Sequence, residues 1–214
     1  MMTQKKASPQ HVISGLYALT PDCIDTVDLL RRTKLALSGG VRVLQYRNKI
    51  ASRALRETQA QALRSLTRDV NVTFIVNDDA QLAAEVDADG VHLGASDGEV
   101  AAARLALGNN KLIGVSCYNQ LQLAHNAIAE GADYVAFGAF YSSTVKPQAA
   151  VATLSLLQAA RATFGTPIVA IGGISADNGR ALVKAGADAL AVISAVFEAA
   201  DIELAAKNLT KLFR

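Results

Sequence analysis

The sequence is poor in cysteine, tryptophan and proline. Two of its 214 residues are cysteine, too few for a disulfide framework and without metal-ligand spacing, so Cys23 and Cys117 are predicted to be inert thiols. The four prolines are scattered, and no Pro/Ser-rich run, charge block or low-complexity segment marks a linker. Because 51% of the residues are hydrophobic and supply a sizeable core, we predict a single domain.

Net charge and long apolar runs are also lacking. The 21 Lys and Arg residues nearly balance 19 Asp and Glu, and only 5% of residues are aromatic, which argues against a nucleic-acid partner. No run is apolar enough to span a bilayer, and the first residues lack the core of a signal peptide. We therefore expect no membrane partner and a cytoplasmic location. The predicted domain organisation is a flexible extension over residues 1–14 followed by a catalytic domain at 15–214. The sequence leaves open whether the protein is a monomer or a homo-oligomer.

Short runs rich in Val, Ile and Leu alternate with Ala-rich stretches of helical period. Eight strands are predicted, at 15–19, 41–47, 73–77, 90–94, 112–116, 134–138, 167–173 and 189–194. Helices are predicted near 26–38, 51–67, 98–107, 119–130, 151–164, 177–185 and 199–212. "EGADYVAFG" and "KAGADALAVIS" repeat one device, in which Gly ends a helix and Ala-Asp leads into a strand. The pattern predicts an α/β fold, a single-domain (β/α)₈ TIM barrel. An open doubly wound sheet is the alternative, but the sequence lacks the GxGxxG motif after the first strand that would favour such a sheet.

The stretch "RVLQYRNK" carries polar side chains beyond a buried strand. Alternation places Gln45, Arg47 and Lys49 on the face of Val43. Because burying an unpaired cation costs several kcal/mol, roughly, the end of this strand must meet anions or water. A strand that simply runs out into solvent is the alternative.

In a barrel, the C-terminal ends of the strands form one rim, where active sites lie. Asp78 and Asp97 follow neighbouring strands about 4.8 Å apart, so their carboxylates are placed to share a hard cation such as Mg²⁺. The alternative is that either aspartate caps the following helix. The cationic side chains of Arg47, Lys49 and Lys146 are expected around such a metal, and all of them could bind the same polyanion. This combination indicates a diphosphate.

The ends of the seventh and eighth strands predict a second anion site. Gly172-Gly173 brings backbone N–H groups close to a ligand, beside Ile193-Ser194 on the next strand, where this fold usually binds phosphate. A tight turn before a helix capped by Asp177 or Asn178 is the alternative. One rim would then hold two anion sites, one of them metal-assisted.

Several ordered motifs resemble the thiamine-phosphate synthase family. They extend from Leu16 to Phe197 and read "QYRNK", "VNDDAQLA", "DGVHLGASD", "IGVSCYN", "ADYVAFGAFYSSTVKP", "PIVAIGGI" and "VISA". The resemblance implies a transferase that joins hydroxymethylpyrimidine diphosphate to a thiazole phosphate. It also implies that the C–O bond ionises to a carbocation, which the thiazole nitrogen captures.

The resemblance also implies roles for particular residues. Asp78 and Asp97 would hold Mg²⁺, and Arg47, Ser116 and Lys146 would be catalytic. The pyrimidine diphosphate would contact Gln45, Tyr46, Arg47, Asn48, Lys49, Asn77, Ser116 and Lys146. The thiazole phosphate would contact Ser143, Thr144, Val145, Gly173, Ile193 and Ser194.

Two positions depart from the family pattern. Val145 stands where a second hydroxyl is usual, and Ala95 where Gln is frequent. His92 lies mid-strand among apolar residues, which favours a packed or hydrogen-bonded histidine over an acid or base. The alternatives are a thiazole tautomerase, a sugar-phosphate epimerase and a binding protein without turnover. The complete diphosphate and metal set argues against all three.

Overall fold

Eight parallel strands close into a barrel in this computed structural model, which describes residues 13–94, 99–142 and 151–214. Each strand pairs with the next in chain order, and β8 pairs with β1 to close the sheet. The strands are β1 (Gly15–Leu19), β2 (Val43–Tyr46), β3 (Thr73–Asn77), β4 (Gly90–Leu93), β5 (Leu112–Tyr118), β6 (Tyr134–Phe137), β7 (Ile168–Ile171) and β8 (Ala189–Val192). The predicted single-domain (β/α)₈ barrel is confirmed.

Helices join successive strands and cover the outside of the barrel. Their bounds are α1 (Thr26–Ser38), α2 (Arg53–Asp69), α3 (Ala80–Glu85), α4 (Val100–Leu107), α5 (Leu121–Ala129), α6 (Leu154–Thr163), α7 (Gly179–Lys184), α8 (Ser194–Phe197) and α9 (Ile202–Thr210), followed by a 3₁₀ helix (Lys211–Phe213). The bounds of α1 agree with the predicted 26–38. The helices α3 and α8 were not among those predicted, because six and four residues are too few for a helical period to show. No helix of the described residues is both long and apolar enough to cross a membrane.

Alternation along the strands divides the apolar side chains between two clusters. Leu44 and Tyr46 of β2 point outward and pack beneath the helices, whereas Val43 points into the barrel with Tyr17. Ile13 is 3% exposed and packs in the same interior cluster, although it lies within the predicted extension; residues 1–12 are outside the described part. The faces predicted for β2 are therefore the observed ones.

The predicted inert thiols are free in the structure. Cys23 and Cys117 form no disulfide, and Cys117 of β5 is buried in the cluster beneath the helices. Burial raises the pKa of the Cys117 thiol to about 12, which keeps it in the unreactive protonated form.

Room for a tyrosine inside the barrel depends on one glycine. Gly114 of β5 lies opposite Tyr134 of β6 in the parallel register. A Cβ atom at position 114 would lie 1.9 Å from Cζ of the Tyr134 ring, so no other residue fits there without moving that ring. The glycine thereby lets a large polar aromatic fill the interior.

Aspartates at the starts of β4, β6 and β8 fasten each strand to its neighbour. Each carboxylate accepts the N–H of a residue on the preceding strand and pairs with an arginine from the helix before that strand. The three sets are Asp89 with Phe74 and Arg64, Asp133 with Ile113 and Arg104, and Asp188 with Ile168 and Arg161. The predicted Gly-Ala-Asp device, at Asp133 and Asp188, therefore does more than lead into a strand, because its aspartate also links three elements; Asp89 does the same after Asp87-Ala88.

Candidate active site

A cavity of about 300 Å³ opens at the C-terminal ends of β2 and β3. Arg47 and Lys49 line it from the segment after β2, and Asn77 and Asp78 line it from the end of β3. The predicted cations and carboxylate of these two strand ends therefore lie around one space, on the rim where this fold carries its active sites.

Gln45 occupies the inner face of β2, one residue before Tyr46, which lines the cavity. Its side chain is 2% exposed, and its Nε2 donates a hydrogen bond of 2.7 Å to the hydroxyl of Tyr17. Its Oε1 is buried and has no hydrogen-bond partner among the described residues. A buried acceptor of this kind costs free energy unless a ligand supplies a donor.

Asp22, in the loop after β1, holds the cations that follow β2, and no sequence motif marks this residue. Its Oδ1 lies 3.2 Å from Nη1 of Arg47 and accepts the backbone N–H of Lys49 at 2.8 Å. Thr20 adds a second tie, because its hydroxyl accepts the N–H of Arg47 and donates to the Arg47 carbonyl. The β2 strand ends at Tyr46, one residue short of the prediction, where these contacts take the chain into the loop.

The side chains of Tyr46 and Asn48 are held on the helix side of this segment. The Tyr46 hydroxyl donates to Oε1 of Gln59 at 2.9 Å, and Asn48 Nδ2 donates to the same oxygen and to the Cys23 carbonyl. Both residues line the cavity, yet their polar atoms tie the end of β2 to α2 and to the loop after β1. Their hydrogen bonds support the position of the residues between them.

The two consecutive aspartates after β3 have different surroundings. Asp79 caps α3 by accepting the N–H of Leu82 at 2.9 Å, and it pairs with Arg53 at 2.9 Å. Asp78 adopts a left-handed φ of 64° and directs Oδ2 to within 3.9 Å of Lys49 Nζ. The alternative of a helix cap therefore applies to Asp79, and the predicted metal ligand Asp78 lies at the cavity.

Part of the predicted site lies outside the described residues. This holds for Asp97, for the loop residues Ser143, Thr144, Val145 and Lys146, and for the departure at Ala95. Within residues 13–94, 99–142 and 151–214, no three His, Cys, Asp or Glu side chains converge as a metal site.

Ser116 lies where β5 changes register against β6, in an irregularity between Ser116 and Tyr118. Its Oγ is 2.9 Å from Nε2 of His92, and Nδ1 of His92 is 3.1 Å from the hydroxyl of Tyr134. His92 is 9% exposed, so the prediction of a packed, hydrogen-bonded histidine is confirmed. Sequence reasoning missed both Tyr17 and Tyr134, although each occupies an inward-facing strand position.

The ends of β7 and β8 carry the glycines and hydroxyl predicted for a phosphate. Gly172 and Gly173 have φ of 95° and 63°, and a Cβ on Gly173 would lie 2.5 Å from the Ser142 carbonyl oxygen. Asn178, at the N-cap position of α7, bonds back to Gly173 and Ser175 instead of capping the helix with its side chain. The close approach of the loop after β6 therefore requires glycine at both positions, whether or not a phosphate binds there.

A family model described as thiamine monophosphate synthase matches residues 16–196. The chain belongs to the thiamine monophosphate synthase family. The family resemblance, the barrel fold and the class of enzyme, a transferase of thiamine biosynthesis, are thereby confirmed.

Individual members of the thiamine monophosphate synthase family match the chain along nearly its whole length. The thiamine-phosphate synthase of Methylobacillus flagellatus is 52% identical over 212 residues, covering 99% of this chain and 100% of the relative. That of Nitrosomonas eutropha is 52% identical over 202 residues, covering 94% and 95%. The solved structure of thiamine phosphate pyrophosphorylase from Pyrococcus furiosus matches with a TM-score of 0.84 and 35% identity, covering 93% of this chain and 95% of that one.

Proposed function

We propose that the protein condenses hydroxymethylpyrimidine diphosphate with thiazole phosphate, giving thiamine phosphate and diphosphate. The observation that carries the proposal is the juxtaposition of Arg47, Lys49 and Asp78 at the mouth of one barrel, in a chain of this family. Two cations beside a carboxylate are suited to a polyanion whose charge is shared with a metal.

The first role of the site is to stabilise the leaving diphosphate. As the C–O bond breaks, its electron pair goes to the diphosphate, and Arg47, Lys49 and Lys146 neutralise the growing charge. Asp22 holds Arg47 and the backbone of Lys49 in place before substrate arrives, so little reorganisation is needed during the reaction. Preorganised donors of this kind contribute about 10²–10³-fold each to the rate.

The pyrimidine is recognised by the inner end of β2 and by neighbouring strand ends. The buried Oε1 of Gln45 accepts a hydrogen bond from the ring amino group, which supplies the donor that this atom lacks among the described residues. Ser116 contacts the diphosphate end, and Asn77, Tyr46 and Asn48 form part of the cavity wall.

Asp78 and Asp97 would hold Mg²⁺ through carboxylate oxygens. The oxygen chemistry of Asp78 fits this role, and so does its position at the cavity beside Lys49. When bound, Mg²⁺ neutralises charge on the diphosphate oxygens.

The thiazole phosphate binds at the loops after β6, β7 and β8. Its contacts are Ser143, Thr144, Val145, Gly173, Ile193 and Ser194; the last three lie at the ends of adjacent paired strands. Holding the phosphate there aligns the thiazole nitrogen with the methylene carbon, so that the C–N bond forms once the diphosphate has departed. No enzyme nucleophile is required. We also propose a cytoplasmic location.

The test is product formation with each substrate combination. We expect thiamine phosphate from the purified protein with both substrates and Mg²⁺, and no interconversion of thiazole-phosphate tautomers, followed by NMR, when that substrate is given alone. Ser116 cannot titrate near neutral pH as a tautomerase base must. Tautomerisation at a useful rate without thiamine phosphate from the full mixture would replace this function by that of a tautomerase.

A further inference from the structure

A chain of hydrogen bonds crosses the barrel interior and joins two residues of the proposed pyrimidine site. It runs from Gln45 through the Tyr17 and Tyr134 hydroxyls to His92 and ends at Ser116. The successive distances are 2.7, 3.0, 3.1 and 2.9 Å. Gln45, Tyr17, Tyr134 and His92 are all at least nine-tenths buried, so bulk water does not compete for these contacts.

With a neutral His92 imidazole the chain can be ordered in two ways, because each hydroxyl has a single proton; an imidazolium would instead donate from both nitrogens and make Tyr17 donate to Gln45. In one direction, Gln45 Nε2 donates to Tyr17, Tyr17 to Tyr134, and Tyr134 to Nδ1 of His92. The imidazole then carries its proton on Nε2 and donates to Ser116, whose own proton is available to a ligand. In the reverse direction, Ser116 donates to an unprotonated Nε2, which is the arrangement of an activated nucleophile and its base.

The requirements at the two ends select the first direction. Tyr17 and Tyr134 are neutral donors, because burial raises the pKa of both phenols. At the β2 end, Gln45 donates its Nε2 to Tyr17 and presents a buried Oε1 acceptor, which matches an amino group of the ligand. At the β5 end, a diphosphate offers only acceptors, so Ser116 must donate. Each end independently requires the same polarity.

We propose that the interior chain is polarised from Gln45 to Ser116, so that His92 is a positioning residue in its neutral Nε2–H form and aims the Ser116 proton at the diphosphate. The inference rests on the proposed function, since the substrate's amino group and diphosphate are what the two ends address. It assigns a shared task to Tyr17 and Tyr134, which lie below the substrate and do not touch it. It also means that His92 does not activate Ser116 as a nucleophile.

The direct test is the tautomer of His92 in the resting protein. We would label the histidines with ¹⁵N and assign the His92 signals by their loss in His92→Gln, since the sequence has only two others, His11 and His125. We expect a pyridine-type Nδ1 and a pyrrole-type Nε2 at neutral pH. A pyrrole-type Nδ1, or an imidazolium, would overturn the proposal. The measurement needs no turnover, so it stands or fails separately from the proposed function.

Breaking the chain supplies a second test. Tyr134→Phe removes the hydroxyl that donates to Nδ1, so we expect both neutral tautomers of His92 to become populated. The matched control is Tyr46→Phe, which removes a buried hydroxyl bonded to Gln59 outside the barrel interior and should leave the tautomer unchanged. An unchanged His92 tautomer in Tyr134→Phe would contradict the proposed polarity.

Kinetics then separate positioning from mere packing. His92→Leu fills similar space but cannot donate to Ser116, so we expect kcat to fall about tenfold with little change in the thiazole-phosphate KM, as for loss of one hydrogen bond. His92→Gln retains an amide N–H and an amide oxygen for the two neighbours and should recover part of kcat. Equal kcat in His92→Leu and wild type would rule out the positioning role, provided both unfold at similar temperatures.

Discussion

Neighbouring residues of the same type have different tasks at the end of β3. Asp79 caps α3 and pairs with Arg53, whereas Asp78 adopts a left-handed backbone conformation that points its carboxylate into the cavity. Aspartate and asparagine tolerate this conformation better than most residues, because their short polar side chains bond locally. Asparagine is therefore the substitution of choice at position 78, since it removes the charge and keeps the backbone.

Asp78→Asn should keep the stability of the protein and lose most of its turnover. The reason is that the variant loses a proposed ligand of Mg²⁺, so the Mg²⁺ concentration for half-maximal rate should rise together with the fall in kcat. The control is Asp79→Ala, which should lower the free energy of unfolding by about 1 kcal/mol through loss of the cap, with the Mg²⁺ dependence of the rate unchanged. Near-normal turnover of Asp78→Asn at limiting Mg²⁺ would show that the metal assignment is wrong.

Lys49→Gln should slow C–O cleavage more than it weakens thiazole-phosphate binding. The Lys49 side chain is 58% exposed at the cavity, and its proposed target is the leaving diphosphate, whose charge grows toward the transition state. We expect kcat to fall about 10²-fold in steady-state assays. Lys207→Gln, on the exposed surface of α9, serves as the control and should retain the wild-type rate. A variant whose only change is a higher thiazole-phosphate KM would remove Lys49 from this role.

At the scale of the elements, the three aspartates before β4, β6 and β8 join strand to strand and strand to helix. They differ in burial: the Asp89 side chain is 2% exposed beside an Arg64 that is 12% exposed, whereas Asp188 is 36% exposed. Removing a buried carboxylate lowers the free energy of unfolding more than removing an exposed one, because water cannot replace it as the partner of the arginine and the backbone N–H.

We therefore expect Asp89→Ala to destabilise the barrel more than Asp188→Ala. The losses should be about 3–5 kcal/mol for Asp89, as for breaking a buried ion pair, and about 1–2 kcal/mol for Asp188. Urea unfolding followed by circular dichroism would measure both. Equal losses would mean that burial of the pair does not determine its contribution.

At the scale of the whole molecule, buried tyrosines make stability depend on alkaline pH. Tyrosine in the unfolded chain ionises near pH 10, whereas burial raises the pKa of Tyr46 to about 12 and also raises that of Tyr17 and Tyr134. Above pH 10 the unfolded chain therefore releases protons that the folded barrel retains. Stability is fully present below pH 10 and falls as pH rises, by up to about 1.4 kcal/mol per pH unit for each tyrosine.

In Tyr46→Phe, the free energy of unfolding should decrease less steeply between pH 10 and 12 than in the wild-type protein. At pH 8 the variant should be about 1 kcal/mol less stable than wild type, because it loses the hydrogen bond to Gln59. The difference should shrink above pH 10 and reverse before pH 12, since only wild type loses stability as the Tyr46 phenol ionises in the unfolded chain. Urea unfolding at several pH values would measure it, and parallel curves for the two proteins would contradict the expectation.

The barrel and the placement of several rim residues could be predicted from local sequence. Eight apolar runs alternating with helical stretches were sufficient, because strand and helix periods are local properties of the chain. The same alternation correctly put Gln45 on the inner face of β2, and the order of the strands brought Arg47, Lys49 and Asp78 to one cavity. Where elements were short, as in α3 and α8, too few residues were present to reveal a period.

The hydrogen-bond and ion-pair partners of the polar side chains could not be predicted in this way. Which of Asp78 and Asp79 caps a helix depends on a backbone angle, and the role of Asp22 depends on a loop that meets β2 in space. The interior chain joins Tyr17 to Tyr134, which are 117 positions apart, across the closed barrel. Such contacts depend on closure of the sheet and on which atoms then lie within about 3 Å, the range of a hydrogen bond, and no local period carries that information.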